Sequence, residues 1–356
     1  MKVKRNKIFI FMVIPAVILA VMAMLRIAFN WTGELLPDHA SGAWINLAVD
    51  FIKGIFYRPL YSIETGYGGT RFMPVFFIAY SCILKITDDI VSSGSIINVL
   101  TIIGIYSVIF LILRQFKINR VWALLFAGCI FMSPSLNDAL TSIRGDLLAS
   151  LFSISGILFS IKYFRDNRNA ALLLAVFFFE LTFFTKLTSL HGISSVFIWY
   201  IINGRKKDVL KLVSIFVIIA GLGLILINAA SNGEFIKIML ASATGGASFS
   251  NIVNGPRWFY FVMLNADLPV LLFLLLNITV FIKYFKDSIR SLPGLYFLFT
   301  LAVTIVICGS PGAWSNHLID LFISLVLFIG FHTCRNEHTH AFFRIPLIII
   351  LLFSLI

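Results

Sequence analysis

The sequence predicts an all-α, polytopic transmembrane protein, on three observations: extreme hydropathy, long apolar runs, and short basic clusters between those runs. The 356 residues are 60% hydrophobic and only 12% charged, with a mean hydropathy of +0.98, and soluble domains carry about twice that charged fraction. Runs such as residues 209–230 are long and apolar with few interruptions, whereas the strands of a membrane barrel alternate over about ten residues. Every backbone donor and acceptor in lipid must be satisfied internally, so apolar runs of this length read as helices.

The net charge of +12 would suggest a nucleic-acid partner in a soluble protein. Here the basic residues lie between apolar segments and report topology, so no nucleic acid is expected. Cys82, Cys129, Cys308 and Cys334 lie in or beside apolar stretches without a CxxC spacing. They read as small buried hydrophobes, and neither a metal nor a cofactor is expected. The N-terminus, basic over residues 2–7 and apolar from Ile8, imitates a signal peptide. Its apolar run is longer than an h-region and lacks an A-x-A site, so it reads as an uncleaved first helix.

Six basic clusters, at 2–7, 114–120, 162–168, 205–211, 283–290 and 335–344, are assigned to the cytoplasm by the positive-inside rule. The connections at 30–95, 133–146, 185–192, 231–267 and 309–317 are poorer in Lys and Arg and are assigned to the outer face. About eleven membrane segments follow: 8–29, 96–113, 121–134, 147–163, 170–185, 192–203, 210–230, 266–284, 292–308, 318–334 and 345–356. The whole of 1–356 reads as one transmembrane domain with no separate soluble domain.

The first outer loop, 30–95, is too long to lack structure of its own. Within it, Trp44, Leu47, Ala48, Phe51 and Ile52 recur near helical spacing, which suits an interfacial amphipathic helix. A second apolar piece at 72–86 contains Pro74 and is bounded by Lys85, Asp88 and Asp89. Making it a span would invert every later loop, so it reads as membrane-surface or re-entrant.

Charged side chains near membrane depth need a reason, and the outer connections collect several. Asp38 precedes the interfacial helix and suits either an N-cap or a general base. Arg144-Gly145-Asp146 opens a span from outside. Asp146 suits a cap with Arg144 reaching lipid phosphates, or the pair suits a site holding a phosphate and an acceptor. Lys186 lies between apolar residues in F-F-T-K-L-T, where a substrate phosphate or snorkelling to the interface would relieve its burial. His317 opens a late span, and Asn316, His317 and Asp320 share one helix face. No HExxH, GxGxxG or Walker A pattern is present.

Taken together these features resemble the integral-membrane glycosyltransferases of the GT-C superfamily, in the branch of protein mannosyltransferases and aminoarabinose transferases. The resemblance rests on Asp38 after the first helix, the G-x-x-Y-x-P-L of Gly54, Tyr57, Pro59 and Leu60, and the T-R-F-M-P-V of residues 70–75. It also rests on the R-x-D of Arg144 and Asp146, the T-K of Thr185 and Lys186, and the N-H of Asn316 and His317. It implies a polyprenyl-phosphate-linked sugar donor, a glycan, lipid or protein acceptor, and inverting transfer at the outer face of a bacterial plasma membrane. By the same resemblance Asp38 would be the catalytic base. Arg71, Arg144, Asp146, Lys186 and His317 would bind substrate. The chain departs from the pattern at Asp38-His39-Ala40, where the family often has an acidic pair, and at Pro74, where it often has two prolines. A transporter or flippase of lipid-linked sugars is the alternative, although no matched halves are visible in the sequence.

The topology is directly testable. A reporter fused after Arg120 or Lys207 behaves as cytoplasmic, and a cysteine placed at Asn254 is labelled by an impermeant reagent in intact cells; protection of that cysteine overturns the assignment.

Overall fold

The computed structural model describes residues 14, 17–29, 39–64, 66–67, 70–244, 248–310 and 313–335. Asp38, the basic cluster 2–7, residues 336–344 and the expected last segment 345–356 lie outside the described residues.

In chain order the helices are α1 (Val17–Phe29), α2 (His39–Ile52), α3 (Pro74–Thr87), α4 (Ile90–Gln115), α5 (Arg120–Gly128), α6 (Pro134–Thr141), α7 (Asp146–Asp166) and α8 (Asn169–Phe183). There follow α9 (His191–Ile202), α10 (Lys206–Ala230), α11 (Glu234–Thr244), α12 (Phe249–Ala266), α13 (Leu268–Lys283), α14 (Phe285–Ser288), α15 (Leu292–Cys308) and α16 (Leu318–Arg335). Between α2 and α3 a minimal antiparallel hairpin pairs Tyr61–Ser62 with Gly66–Tyr67.

Local chemistry sets many of these boundaries. Proline occupies the first turn of α3, α6, α13 and α15, where its missing N–H costs nothing. Ser133, Asp267 and Ser291 accept hydrogen bonds from backbone N–H groups of the helices they precede. Asp88 closes α3 at a left-handed φ of 52°, and Asp89 caps α4 by accepting the Ser92 N–H at 2.6 Å. The Ser92 hydroxyl and backbone hold the Asp89 carboxyl below its ordinary value.

Among the described residues, four stretches are long and apolar enough to cross a membrane: Ile90–Gln115, Asp146–Asp166, Lys206–Ala230 and Ser315–Thr333. Each of the expected segments from 96–113 to 318–334 contains helix. The piece expected at 121–134 is longer than its apolar run. It continues through a 3₁₀ turn at Cys129–Met132 and, after a 74° bend, into α6. Pro134 supplies the break. The expected connection 231–267 is also more structured than its composition implies, since it contains α11 and α12.

Helix α16 is the centre of the bundle, and 89% of its most apolar window is buried. Leu321, Phe322, Leu325, Val326, Phe328 and Ile329 are all fully enclosed in the main core. Helix α10 is its opposite, only 11% buried, with Val217, Ile218, Leu222 and Ile225 exposed; such a surface is at ease only in lipid. A second core joins α2 and α3 to Ile143, Leu148 and α11 residues Phe235 and Ile238. Trp44 stacks on Phe72 at 4.1 Å and meets Phe76 edge-on.

Polar contacts tie helix ends in two groups. Arg165 donates to Gln115, Arg205 to Asn167 and to the Phe164 carbonyl, and Tyr163 to Asp208, all at ends that the charge alternation assigns to one face. The other group lies at the opposite ends of these helices. There Asn98, buried in α4, donates to the carbonyls of Leu140 at 2.9 Å and Ser142 at 2.7 Å. These are carbonyls left without partners at the end of α6, and the bonds fix the chain just before Arg144.

Replacing Asn98 with Leu therefore strands two buried carbonyls. The expected destabilisation is about 1–3 kcal/mol, read as a lower Tm of the purified protein in lipid, and an unchanged Tm would show that the tie carries no stability.

Candidate active site

The turn of Ile143, Arg144 and Gly145 leads directly into α7, and its neighbours arrive from three other segments. The Ile143 N–H donates to the Ser41 hydroxyl on α2 at 2.9 Å. At Gly145 an added Cβ would meet Phe76, Thr185 and Trp44 at 3.2–3.3 Å, so glycine is what lets α2, α3 and the end of α8 close on this turn.

Asp146 is the first residue of α7, and Gly145 before it provides no side-chain cap. The carboxylate of Asp146 instead faces sideways: Oδ1 accepts from Lys186 Nζ at 2.6 Å and from Asn316 Nδ2 at 3.0 Å. Both members of the ion pair are largely enclosed, with side-chain exposures of 17% and 10%. The anion that Lys186 requires is thus a protein carboxylate. Each charge accounts for the burial of the other, because removing one partner of such a pair leaves a buried charge uncompensated. Arg144 and His317 lie within electrostatic reach of one another beside this pair. The Nδ1 of His317 is buried without a hydrogen-bond partner.

One turn further along α16, Asp320 repeats the arrangement in the bundle interior. Its Oδ1 accepts from Ser150 at 2.6 Å and its Oδ2 from Ser189 at 3.4 Å, and His191 Nε2 stands 3.4 Å from Oδ1. His191 also lies against the ring of Tyr296. The two layers connect through α16, since Asn316 and Asp320 are four residues apart and face the same side.

Of the residues singled out in the sequence, the structure brings together Arg144, Asp146, Lys186, Asn316, His317 and Asp320. Arg71 is exposed on the approach to α3, outside this set of contacts. Asp138 faces Arg26 at 3.8 Å with both side chains largely exposed, a geometry that contributes little. Asp267 is a fold staple, its carboxylate accepting from Ser133, from the Ser135 N–H at 3.0 Å and from the Val270 N–H at 3.2 Å. No group of three His, Cys, Asp or Glu suited to a metal occurs among the described residues.

Sequence reasoning missed the ion pair of buried Asp50 with Arg58, which also keeps the Arg58 guanidinium firmly charged. Its signal lay in the G-x-x-Y-x-P-L motif. Gly54 has φ 80° and Tyr57 φ 58°, so the motif is a reversal that returns Arg58 to α2. The Tyr57 hydroxyl then donates to the Phe72 carbonyl at 2.7 Å. Glu180 was missed as well; it is buried in α8 with neither carboxyl oxygen hydrogen-bonded.

No protein-family model and no curated protein sequence matches the chain. Solved structures do. The chain is similar to ArnT from Cupriavidus metallidurans bound to undecaprenyl phosphate, with a TM-score of 0.66 and 12% identity over 92% of this chain and 61% of that one. It is also similar to the Archaeoglobus fulgidus oligosaccharyltransferase in its apo form, with a TM-score of 0.60 and 12% identity over 96% of this chain and 54% of that one. The same oligosaccharyltransferase tethered to an acceptor peptide gives 0.59 and 12%, over 97% and 53%. The chain therefore spans about three fifths of the ArnT length and about half of the oligosaccharyltransferase length. At this identity the likeness is one of fold alone, the fold that this chain has in common with ArnT and the archaeal oligosaccharyltransferase.

Proposed function

We propose that this chain is a membrane glycosyltransferase that moves a sugar from a polyprenyl-phosphate donor to a glycan, lipid or protein acceptor. The reaction is assigned to the outer face of a bacterial plasma membrane, with about eleven crossings and a cytoplasmic N-terminus. One observation carries the reading: Lys186, Arg144, Asn316 and His317 converge around Asp146 at one end of the bundle. A cluster of donors enclosed at the membrane boundary suits an anionic headgroup whose tail stays in lipid. The undecaprenyl phosphate bound to the similar ArnT supports a donor of this chemical class.

In the proposed reaction an acceptor hydroxyl oxygen attacks the anomeric carbon from the face opposite the phosphate. The bond from that carbon to the phosphate oxygen breaks, the configuration inverts, and polyprenyl phosphate leaves with the bonding pair. Asp38 takes the hydroxyl proton. The departing phosphate needs charge stabilisation more than it needs a proton, and Lys186 and Arg144 supply it, with Asn316 and His317 as further polar contacts. Asp146 holds Lys186 in place between turnovers. Arg71, exposed, draws the anionic headgroup toward the site.

Purified protein in lipid, given a synthetic polyprenyl-phosphate sugar, tests the assignment of the base. Asp38→Asn keeps shape and capping ability but removes the proton acceptor, and a rate loss on the order of a hundredfold or more is expected. A folded Asp38→Asn protein with near wild-type transfer refutes it. Movement of the intact lipid-linked sugar across the membrane without labelling of any acceptor would identify a flippase instead.

The role of Lys186 needs a pair of variants. Lys186→Ala orphans buried Asp146 and is expected to cost about 3–5 kcal/mol of stability as well as donor binding. Adding Asp146→Asn restores the Tm but not donor binding. Recovery of donor binding in the double variant would make Lys186 a structural residue only.

A further inference from the structure

Resting on the proposed function, the charges of the cluster carry a second conclusion. Its fixed cations are Lys186 and Arg144, and its carboxylates are Asp146 and Asp320. Lys186 is bound to Asp146, His191 stands 3.4 Å from Asp320 and Arg144 also lies within electrostatic reach of Asp138, so each basic group already faces a carboxylate and none is spare for a phosphate. Bringing an anion into a largely enclosed, balanced site is costly unless a compensating charge arrives with it. Lys186 cannot provide that charge alone, because its ammonium is already committed to Asp146 at 2.6 Å.

His317 is the group placed to provide it. It sits in the turn that delivers Asn316 to Asp146, and its Nδ1 is buried and unpartnered. The charged groups around it are Lys186 at the end of α8, Arg144 and Asp146 at the start of α7, and Asp320 on α16. Of the other helices packed on the 315–317 turn, α6 carries Asp138, α12 carries Arg257 and Tyr260, and α15 carries Tyr296 and Cys308. With the site empty, an imidazolium at His317 would bury an N–H that has no acceptor. A phosphate among Lys186, Arg144 and His317 reverses that balance, since imidazolium is then paired and its buried N–H has an acceptor.

We infer that His317 is a proton-binding site coupled to the lipid-linked phosphate: the imidazole takes up a proton as the phosphate binds and releases it as the polyprenyl phosphate departs. Binding therefore strengthens as pH falls, because the complex holds one more proton than the free partners. The leaving phosphate is held most tightly at low pH and released more readily at high pH.

Isothermal titration of the full chain in lipid nanodiscs tests this. Undecaprenyl phosphate is titrated at one pH in two buffers of different ionisation enthalpy, and a sulfate-ester analogue is run beside it. The sulfate does not itself titrate near neutral pH, so any proton taken up with it belongs to the protein. The wild type is expected to take up close to one proton per sulfate ester, with Kd rising by up to about tenfold per pH unit above neutral. His317→Gln loses the uptake and the pH slope. His317→Arg, whose guanidinium stays charged even when enclosed, retains binding without either. Binding of the sulfate ester by the wild type without proton uptake overturns this inference alone, as does undiminished uptake in the Arg variant. Failure of the wild type to bind either lipid overturns the functional reading and this inference with it. Inorganic phosphate, run in parallel, binds more weakly if the lipid is the ligand; equal or tighter binding overturns the lipid assignment.

Discussion

The ion pair of Lys186 with Asp146 is the constraint around which the candidate site is organised. At 2.6 Å and largely out of solvent, it cannot be dismantled on one side without leaving a buried charge. It therefore ties the end of α8 to the start of α7. The third contact, from Asn316, adds the turn before α16, the most enclosed of the four long apolar stretches. Gly145 makes the arrangement possible, since any side chain there would push against Trp44, Phe76 and Thr185. Position, charge and packing at this point are set together, and a change in one is felt by the other two.

Such an arrangement suits chemistry in which the protein supplies charge more than covalent participation. Transfer from a phosphate-linked donor needs a base for the acceptor and preorganised positive charge for the leaving group. A cation held on an internal carboxylate is preorganised in that sense, and it can be shared with an incoming phosphate without first being desolvated. The second layer, Asp320 with Ser150, Ser189 and His191, lies behind the first and fixes the helix that follows the turn carrying Asn316 and His317.

Much of this was legible in the sequence because burying charge in lipid is costly, so each charged residue near an apolar run is informative. Arg144, Asp146, Lys186, Asn316 and His317 stood out on that ground, and the basic clusters marked the helix ends. What the sequence could not reveal was pairing. Lys186 meets Asp146 across 40 residues and Asn316 meets it across 170, and hydropathy contains no record of such distances. The reversal that joins Asp50 to Arg58 escaped for a related reason: it depends on positive φ at Gly54 and Tyr57, and Tyr is not a usual marker of that conformation. Helix α12 was hidden by its polar residues. Its packing on α15 is a close backbone approach, with Gly255 against the Ile305 carbonyl and Gly309 against that of Asn251, and its buried apolar residues, Phe259, Val262 and Met263, are interleaved with Asn254, Arg257 and Asn265.

The most direct measurement of the central claim is a cryo-EM map of the protein in lipid nanodiscs with and without undecaprenyl phosphate. The account predicts headgroup density within hydrogen-bonding distance of Lys186 and Arg144, with the Lys186 ammonium shared between the phosphate and Asp146. A headgroup bound elsewhere, with the Lys186 and Asp146 pair unaltered and no density between Arg144 and His317, would contradict it.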